Sequence, residues 1–320
     1  SAFGTVLILG DLRLRTLEVE IWRNAVQRLD LPAAATLAVL QLVVVLLVLR
    51  LQERDPLPPR SDVRREAPIA RREAAFAWAA LAITGAIVLL PITALTRSGI
   101  GALPRLFETG GRLGVDPLAA TLTSLSYAAT ATVLATVIGG LTAVAIADRT
   151  TGGRILDRVV LLPLGTSAVT IGLGFLIALD WPIDLRASRW LVPIAHALVA
   201  VPFVTRTMGP ALGAIPGRLR EAAASLGADP GAVWRLVEWP VVARAAMVGA
   251  GFSFAISLGE FGATAFVARP ADPTLPLLVF RALGRPGTGD VAAAGSLLLM
   301  VVTVLAVLAV DRFRTGEETL

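Results

Sequence analysis

Residues 119–147 read AATLTSLSYAATATVLATVIGGLTAVAIA and contain no charged side chain. A helix of this length exceeds the ~20 residues that are needed to cross the hydrocarbon core of a bilayer. Six further apolar stretches are long enough to do the same, at residues 33–51, 75–96, 156–179, 190–212, 240–268 and 291–311. Apolar residues make up 55% of the chain and the mean hydropathy is +0.74, far above a soluble domain. The sequence therefore predicts an all-α fold, a polytopic bundle of transmembrane helices.

The composition excludes several kinds of function. All 29 basic residues are Arg and are scattered through the connections, which is typical of a membrane protein and not of a nucleic-acid-binding surface. The chain has no Cys and one His, which excludes disulfides, thiolate metal sites and histidine clusters. It also lacks a Gly-rich loop that ends in Lys and Ser or Thr, so we expect the chain not to hydrolyse ATP itself. We also expect no catalytic residue and no metal site.

Residues 221–240, EAAASLGADPGAVWRLVEWP, join two of the apolar stretches. Local rules predict two short helices that meet at an angle. The first helix covers 217–226, with Glu221 in its first turns, where a carboxylate complements the helix dipole. It ends at Gly227, which can adopt a left-handed conformation, and Asp229 caps the second helix. An amphipathic connector without any partner is the alternative interpretation of these residues.

The same stretch resembles the EAA loop of ABC importer permeases, in which Glu-Ala-Ala is followed by Gly, an aliphatic residue and Pro at fixed spacings. The matching residues are Glu221, Ala222, Ala223, Gly227, Val237 and Pro240. In that family the loop docks into a groove of a separate ATPase subunit. The resemblance therefore implies that residues 213–239 are a cytoplasmic coupling loop, in which Asp229 also takes part. Trp239 departs from the motif, which prefers Leu at this position.

Two further motifs narrow the resemblance to the fused, two-half permeases of ferric-iron and thiamine importers: Ser-Leu-Gly-Glu-Phe-Gly at 257–262 and Thr-Leu-Pro at 274–276. This resemblance implies the type I (MetI-like) importer permease fold in the cytoplasmic membrane of a bacterium. It implies a cytoplasmic ABC ATPase dimer, which binds ATP and Mg, and an extracytoplasmic solute-binding protein as partners. The chain itself would carry no cofactor, and the solute would be ferric iron or thiamine.

The beginning of the chain repeats part of its end. Residues 1–4 match 259–262, and Thr16-Leu17 followed by Ile21-Trp22-Arg23 parallels Thr274-Leu275 followed by Val279-Phe280-Arg281. Repeats of this kind indicate two homologous halves. We expect residues 1–51 to be the tail of a first half, 52–74 a cytoplasmic linker, and 75–320 a second half with six transmembrane helices. We also expect the remainder of the first half, with a second EAA-like loop, to lie upstream.

Two polar residues interrupt the apolar stretches. Glu260 is predicted to lie near the outer end of a span, where a carboxylate usually faces a cavity or a partner. It is our candidate for the translocation pathway, and an ion pair with an Arg is the structural alternative. His196 is predicted to form a hydrogen bond between helices rather than to bind a ligand.

Two other functions stay open at this point. A secondary transporter would need several intramembrane charges for its coupling ions, and Glu260 is the one convincing candidate. A membrane scaffold without transport would not need an EAA-like loop. The loop favours the ABC importer permease over both.

Overall fold

The computed structural model describes residues 3–9, 16–52, 71–110, 113–147, 150–179, 184–186, 188–269 and 271–315. Every regular element in these ranges is a helix, as predicted. A first group of helices comprises α1 (Phe3–Leu9), α2 (Leu17–Trp22, continued by a π-helical turn over Arg23–Gln27) and α3 (Leu31–Gln52). The remaining helices are α4 (Arg71–Gly110), α5 (Pro117–Ala147), α6 (Thr151–Gly165), α7 (Ala168–Ala178), α8 (Leu191–Ala214), α9 (Gly217–Ser225), α10 (Pro230–Val233, followed by a π-helical turn over Trp234–Glu238), α11 (Trp239–Gly259), α12 (Thr264–Val267), α13 (Leu275–Leu283) and α14 (Gly289–Thr315).

Six helical segments of the described residues are long and apolar enough to cross a membrane. They lie in α3, α4, α5, α8, α14 and the segment from Pro230 to Gly259. The predicted stretch 156–179 is not one continuous helix, because α6 and α7 meet at a bend of 105°. Thr166 at this bend is extended, with φ −86° and ψ 150°, and the Ser167 hydroxyl accepts a hydrogen bond from the Val169 N–H at 3.2 Å. The span is therefore interrupted at Thr166, and the Ser167 hydroxyl caps the start of α7.

Two other predicted boundaries were wrong. The stretch 75–96 is part of α4, which continues to Gly110 although residues 97–110 include charged side chains. Packing extends the helix: Gly99 lies so close to α14 that an added Cβ would come within 2.8 Å of Leu297 Cβ, and Leu106 is fully buried. The stretch 240–268 is also not continuous, because α11 ends at Gly259.

The centre of the bundle is formed by α5, α8 and α11, which contact one another through small residues. An added Cβ on Gly139 would meet Val204 Cβ at 2.8 Å, and one on Gly249 would meet Thr207 Oγ1 at 2.7 Å. The Thr205 hydroxyl also donates to the Gly139 carbonyl at 3.2 Å. Small residues let helices approach closely in a bilayer, where no hydrophobic force drives helices together.

Helices α1 to α3 pack against α6, α7 and the chain after α11. Val169 and Leu173 of α7 share one buried cluster with Phe3 and Trp22. The Thr170 hydroxyl donates to Gln41 Oε1 at 2.8 Å, which joins α7 to α3. Residues 53–70 of the predicted linker lie outside the described residues, and α4 begins at Arg71, before the predicted boundary.

Candidate functional site

The segment between α8 and α11 forms an exposed surface at one end of the bundle. Helix α11 runs from this surface to Glu260 and contains 21 residues. At ~1.5 Å rise per residue it is about 30 Å long, close to the thickness of the hydrocarbon core. The predicted coupling loop and the predicted pathway residue therefore lie at opposite ends of one span.

The local geometry of the loop agrees with most of the sequence analysis. Gly227 has φ +86°, the left-handed conformation predicted for the end of α9. Asp229 caps α10, because its Oδ1 accepts a hydrogen bond from the Ala232 N–H at 2.6 Å, and Pro230 follows at the first helical position. Pro216 occupies the N-cap position of α9. Two short helices therefore meet at Gly227 as expected.

Glu221 lies at its predicted place in the first short helix, but its predicted interaction with the helix dipole was wrong. It is the fifth residue of α9, and the first turn of that helix contains no acidic side chain. Its carboxylate is therefore too far from the first N–H groups to complement the helix dipole, which acts within the first turn. The side chain is exposed and faces outward from the helix.

The residues predicted for coupling lie on one exposed segment of the chain. All nine residues of α9 are described and none is buried, and Gly227, Asp229 and Pro240 are exposed too. Two leucines on the same segment are largely exposed: Leu226 at 90% and Leu236 at 75%. This segment therefore presents exposed apolar side chains and small residues to its surroundings.

Sequence reasoning missed the side chains that hold this surface to the bundle. The Arg220 Nε donates to Glu238 Oε1 at 2.5 Å, and its Nη2 donates to the Leu212 carbonyl at 3.3 Å. Arg220 thereby joins α9 to the end of α8 and to the turn before α11. Arg220 stands directly before the Glu-Ala-Ala motif and Glu238 directly before Trp-Pro, but no local pattern pairs them.

Aromatic packing makes a second connection. The rings of Trp234 and Trp239 lie 6.2 Å apart, and Trp234 and Val237 pack on the buried cluster of α5, α8 and α11. These contacts connect the loop to the central helices. A polar cavity of about 510 Å³ lies beside it, where Arg206 Nη2 is 3.1 Å from Asp157 Oδ1.

The sequence suggested that Glu260 lies inside a helical span. The structure instead places it directly after the end of α11. Its backbone is extended, with φ −76° and ψ 114°. Its Oε1 accepts a hydrogen bond from the Ala263 N–H at 3.2 Å, so the carboxylate helps to start α12. Among the described residues, no Arg forms an ion pair with Glu260. The side chain is half-buried.

The predicted interhelical hydrogen bond of His196 is confirmed. Its Nδ1 lies 2.8 Å from Ser257 Oγ and its Nε2 lies 2.7 Å from Thr264 Oγ1, so α8 is joined to α11 and α12. Since the Thr264 hydroxyl donates to the Glu260 carbonyl at 2.9 Å, it accepts from His196, which places the imidazole proton on Nε2. The described residues contain no group of three or more His, Asp or Glu that could hold a metal ion.

No family model matches the chain. It is 30% identical to the thiamine transport system permease protein ThiP of Brucella abortus (strain 2308), over 99% of this chain and 60% of that protein. The ThiP of Brucella suis biovar 1 (strain 1330) gives the same identity and shares. A Salmonella typhimurium permease, PhnV, provisionally named for 2-aminoethylphosphonate transport, is 30% identical over 51% of this chain and 62% of its own length.

The chain thus spans about 60% of the length of the ThiP relatives reported above. Its apolar helices make it a multi-pass integral protein of the bacterial cell membrane. The relatives are transport permeases, which are not enzymes. Over almost its whole length the chain is homologous to part of these transport system permease proteins, and its described residues have the all-helical, membrane-spanning architecture expected of a permease.

Proposed function

We propose that this chain is part of the permease subunit of an ATP-driven importer and that the solute is thiamine. The observation that carries the proposal is the uncovered surface of α9 and the α9–α10 turn. It has the spacing of an EAA loop, exposes Leu226 and Leu236, and is tied to the central helices by Arg220. A membrane scaffold without transport would have no use for such a surface.

The partner at this surface is a cytoplasmic ABC ATPase dimer, which binds ATP and Mg; this chain contributes no cofactor. Closure of the dimer moves α9. The Arg220–Glu238 ion pair and the Trp234 ring pass that movement to α8 and α11, which both border the region of Glu260 and His196. The solute then passes along the interface between the two halves of the permease, with Glu260 at its outer mouth.

Thiamine is preferred over other solutes because the similarity to ThiP extends over 99% of the chain, whereas the similarity to PhnV covers 51%. Of the two solutes that the sequence suggested, thiamine is named in the relatives reported above and ferric iron is not. An extracytoplasmic solute-binding protein delivers the solute to the outer face. A cationic solute also suits the carboxylate of Glu260.

The experiment is uptake of labelled thiamine into proteoliposomes that contain the complete permease, the ATPase and the binding protein. We expect uptake to require ATP inside the vesicles. We expect Glu221→Lys to weaken ATPase binding and uptake at least tenfold, because it reverses a charge on the docking surface. The matched control is Glu108→Lys, an exposed Glu near the opposite end of the bundle, which should change neither.

Three outcomes would contradict parts of this proposal. Uptake that persists without ATP and follows an ion gradient would identify a secondary transporter. ATP-dependent uptake of 2-aminoethylphosphonate or ferric iron, but not of thiamine, would retain the importer and replace the solute. Unchanged ATPase binding in Glu221→Lys would remove this residue from the docking surface.

A further inference from the structure

Four aromatic rings from the two ends of the chain meet in one cluster, which we call the aromatic cluster. Phe3 and Phe261 are stacked with ring centroids 5.8 Å apart, and Phe261 and Phe280 are 4.9 Å apart. Trp22 meets Phe280 edge-on at 6.0 Å. These distances lie within the favoured range for aromatic pairs. Phe3 is 1% exposed and Trp22 is 8% exposed, so the contact excludes water.

The pairing follows the internal repeat. Phe3 corresponds to Phe261 and Trp22 to Phe280, and both pairs have the same separation along the chain. The segments around them also have the same order of elements: α1, α2 and α3 in one, and α12, α13 and α14 in the other. Each of the two contacts therefore joins a residue to its own repeat equivalent.

A contact between equivalent residues has a geometric consequence. Two related bodies bring equivalent residues together only at the axis that relates them, as at an isologous interface. Two such contacts in one cluster therefore mark the axis between the halves. In transporters that are built from repeats, the solute pathway lies at the interface of the repeats. The aromatic cluster thus lies across the line that the solute must follow.

The aromatic cluster also lies at a defined depth in the membrane. Phe261 follows Glu260, directly beyond the end of α11 that is remote from the coupling loop. The cluster is therefore on the outer side of the membrane, about one hydrocarbon thickness from α9. All four rings belong to or adjoin short helices (α1, α2, α12 and α13), which have between four and nine residues each.

We propose that Phe3, Phe261, Trp22 and Phe280 form the outer gate of the translocation pathway and that the structure shows this gate closed. Opening requires the two repeat-related contacts to separate together, because both lie on the axis. The gate rests on the proposed transport function but does not depend on the identity of the solute.

The test uses thiols as reporters: this chain contains no Cys, and any Cys in the rest of the permease is first replaced by Ser. In the complete permease with its ATPase and binding protein, Phe3→Cys and Phe261→Cys are combined and a protease site is placed in residues 53–70. A short bis-methanethiosulfonate reagent should join the two fragments. The cross-link should lower thiamine uptake and binding-protein-stimulated ATP hydrolysis at least tenfold. Chemical reduction of its disulfides should restore both activities. Trp22→Cys with Phe280→Cys repeats the test at the second contact.

The control pair combines Phe3→Cys with Phe252→Cys, an exposed Phe on α11, and should not be joined. Full uptake by the cross-linked protein would overturn the gate. Failure of the reagent to cross-link the two fragments of a double-Cys variant that still transports would also overturn it.

If the double-Cys variants lose transport before cross-linking, the single variant Phe261→Cys is used instead. A membrane-impermeant thiol reagent should label it at least tenfold faster with binding protein and a non-hydrolysable ATP analogue than without nucleotide. An unchanged labelling rate would overturn the gate, whereas absence of thiamine uptake in the parent protein would count against the solute alone.

Discussion

The ion pair between Arg220 and Glu238 provides the most specific test of the proposed coupling by this loop. It joins α9 to the turn before α11 at 2.5 Å, and a second hydrogen bond from Arg220 reaches the Leu212 carbonyl at 3.3 Å. The side chain of Glu238 is 17% exposed and that of Arg220 is 37% exposed. The change Arg220→Ala removes both hydrogen bonds and leaves the carboxylate of Glu238 without its ion pair.

The expected magnitude follows from these exposures. A charge-assisted hydrogen bond contributes ~1.5–3 kcal/mol where it is buried, and an exposed ion pair contributes at most ~1 kcal/mol. Because Arg220 is more than a third exposed, solvent screening lowers the expected loss to about 1–2 kcal/mol. Each 1.4 kcal/mol is about tenfold in an equilibrium constant. We therefore expect Arg220→Ala to weaken ATPase binding about 5- to 30-fold.

The assay is ATPase binding to the permease in nanodiscs, in a double-mutant cycle with Glu238→Gln. The two single variants should each weaken binding, and the double variant should lose little more than Arg220→Ala alone. Arg269→Ala is the matched control, because it is also 37% exposed and its ion pair, with Asp272, lies at the outer end of the bundle. Additive losses in the cycle, or an equal loss in Arg269→Ala, would refute the idea that this ion pair supports docking.

Three further outcomes are expected. Gly227→Pro should abolish uptake and leave membrane insertion intact, because proline cannot adopt φ +86° and its missing N–H removes the bond to the Ala224 carbonyl; wild-type uptake would contradict this. His196→Leu leaves two hydroxyls without their partner and should cost ~1–3 kcal/mol, measured as a lower melting temperature in detergent, with His196→Gln intermediate. Glu260→Gln keeps an oxygen for the Ala263 N–H and should reduce uptake at an unchanged melting temperature. A large fall in melting temperature would instead make Glu260 structural.

Much of the fold could be predicted from the sequence because its signals are local. An apolar stretch of about twenty residues predicts a span whatever surrounds it, and five of the seven predicted stretches correspond closely to helical spans or lie within one. The conformation of Gly227 and the cap at Asp229 were likewise predictable, since glycine's freedom and a side-chain cap each involve only a few neighbouring residues. The two short helices on either side of Gly227 could be located for the same reason.

Other features of the fold depend on contacts between distant parts of the chain, and only the tertiary structure shows them. The break between α6 and α7 and the extension of α4 past residue 96 depend on capping and on packing against α14, which hydropathy does not record. The ion pair of Arg220 joins residues in different elements, and His196 finds its two hydroxyl partners on other helices. The repeat was visible in the sequence, but the meeting of Phe3 with Phe261 was not. Residue order along a chain specifies which segments resemble each other, whereas only their packing determines that the corresponding rings touch.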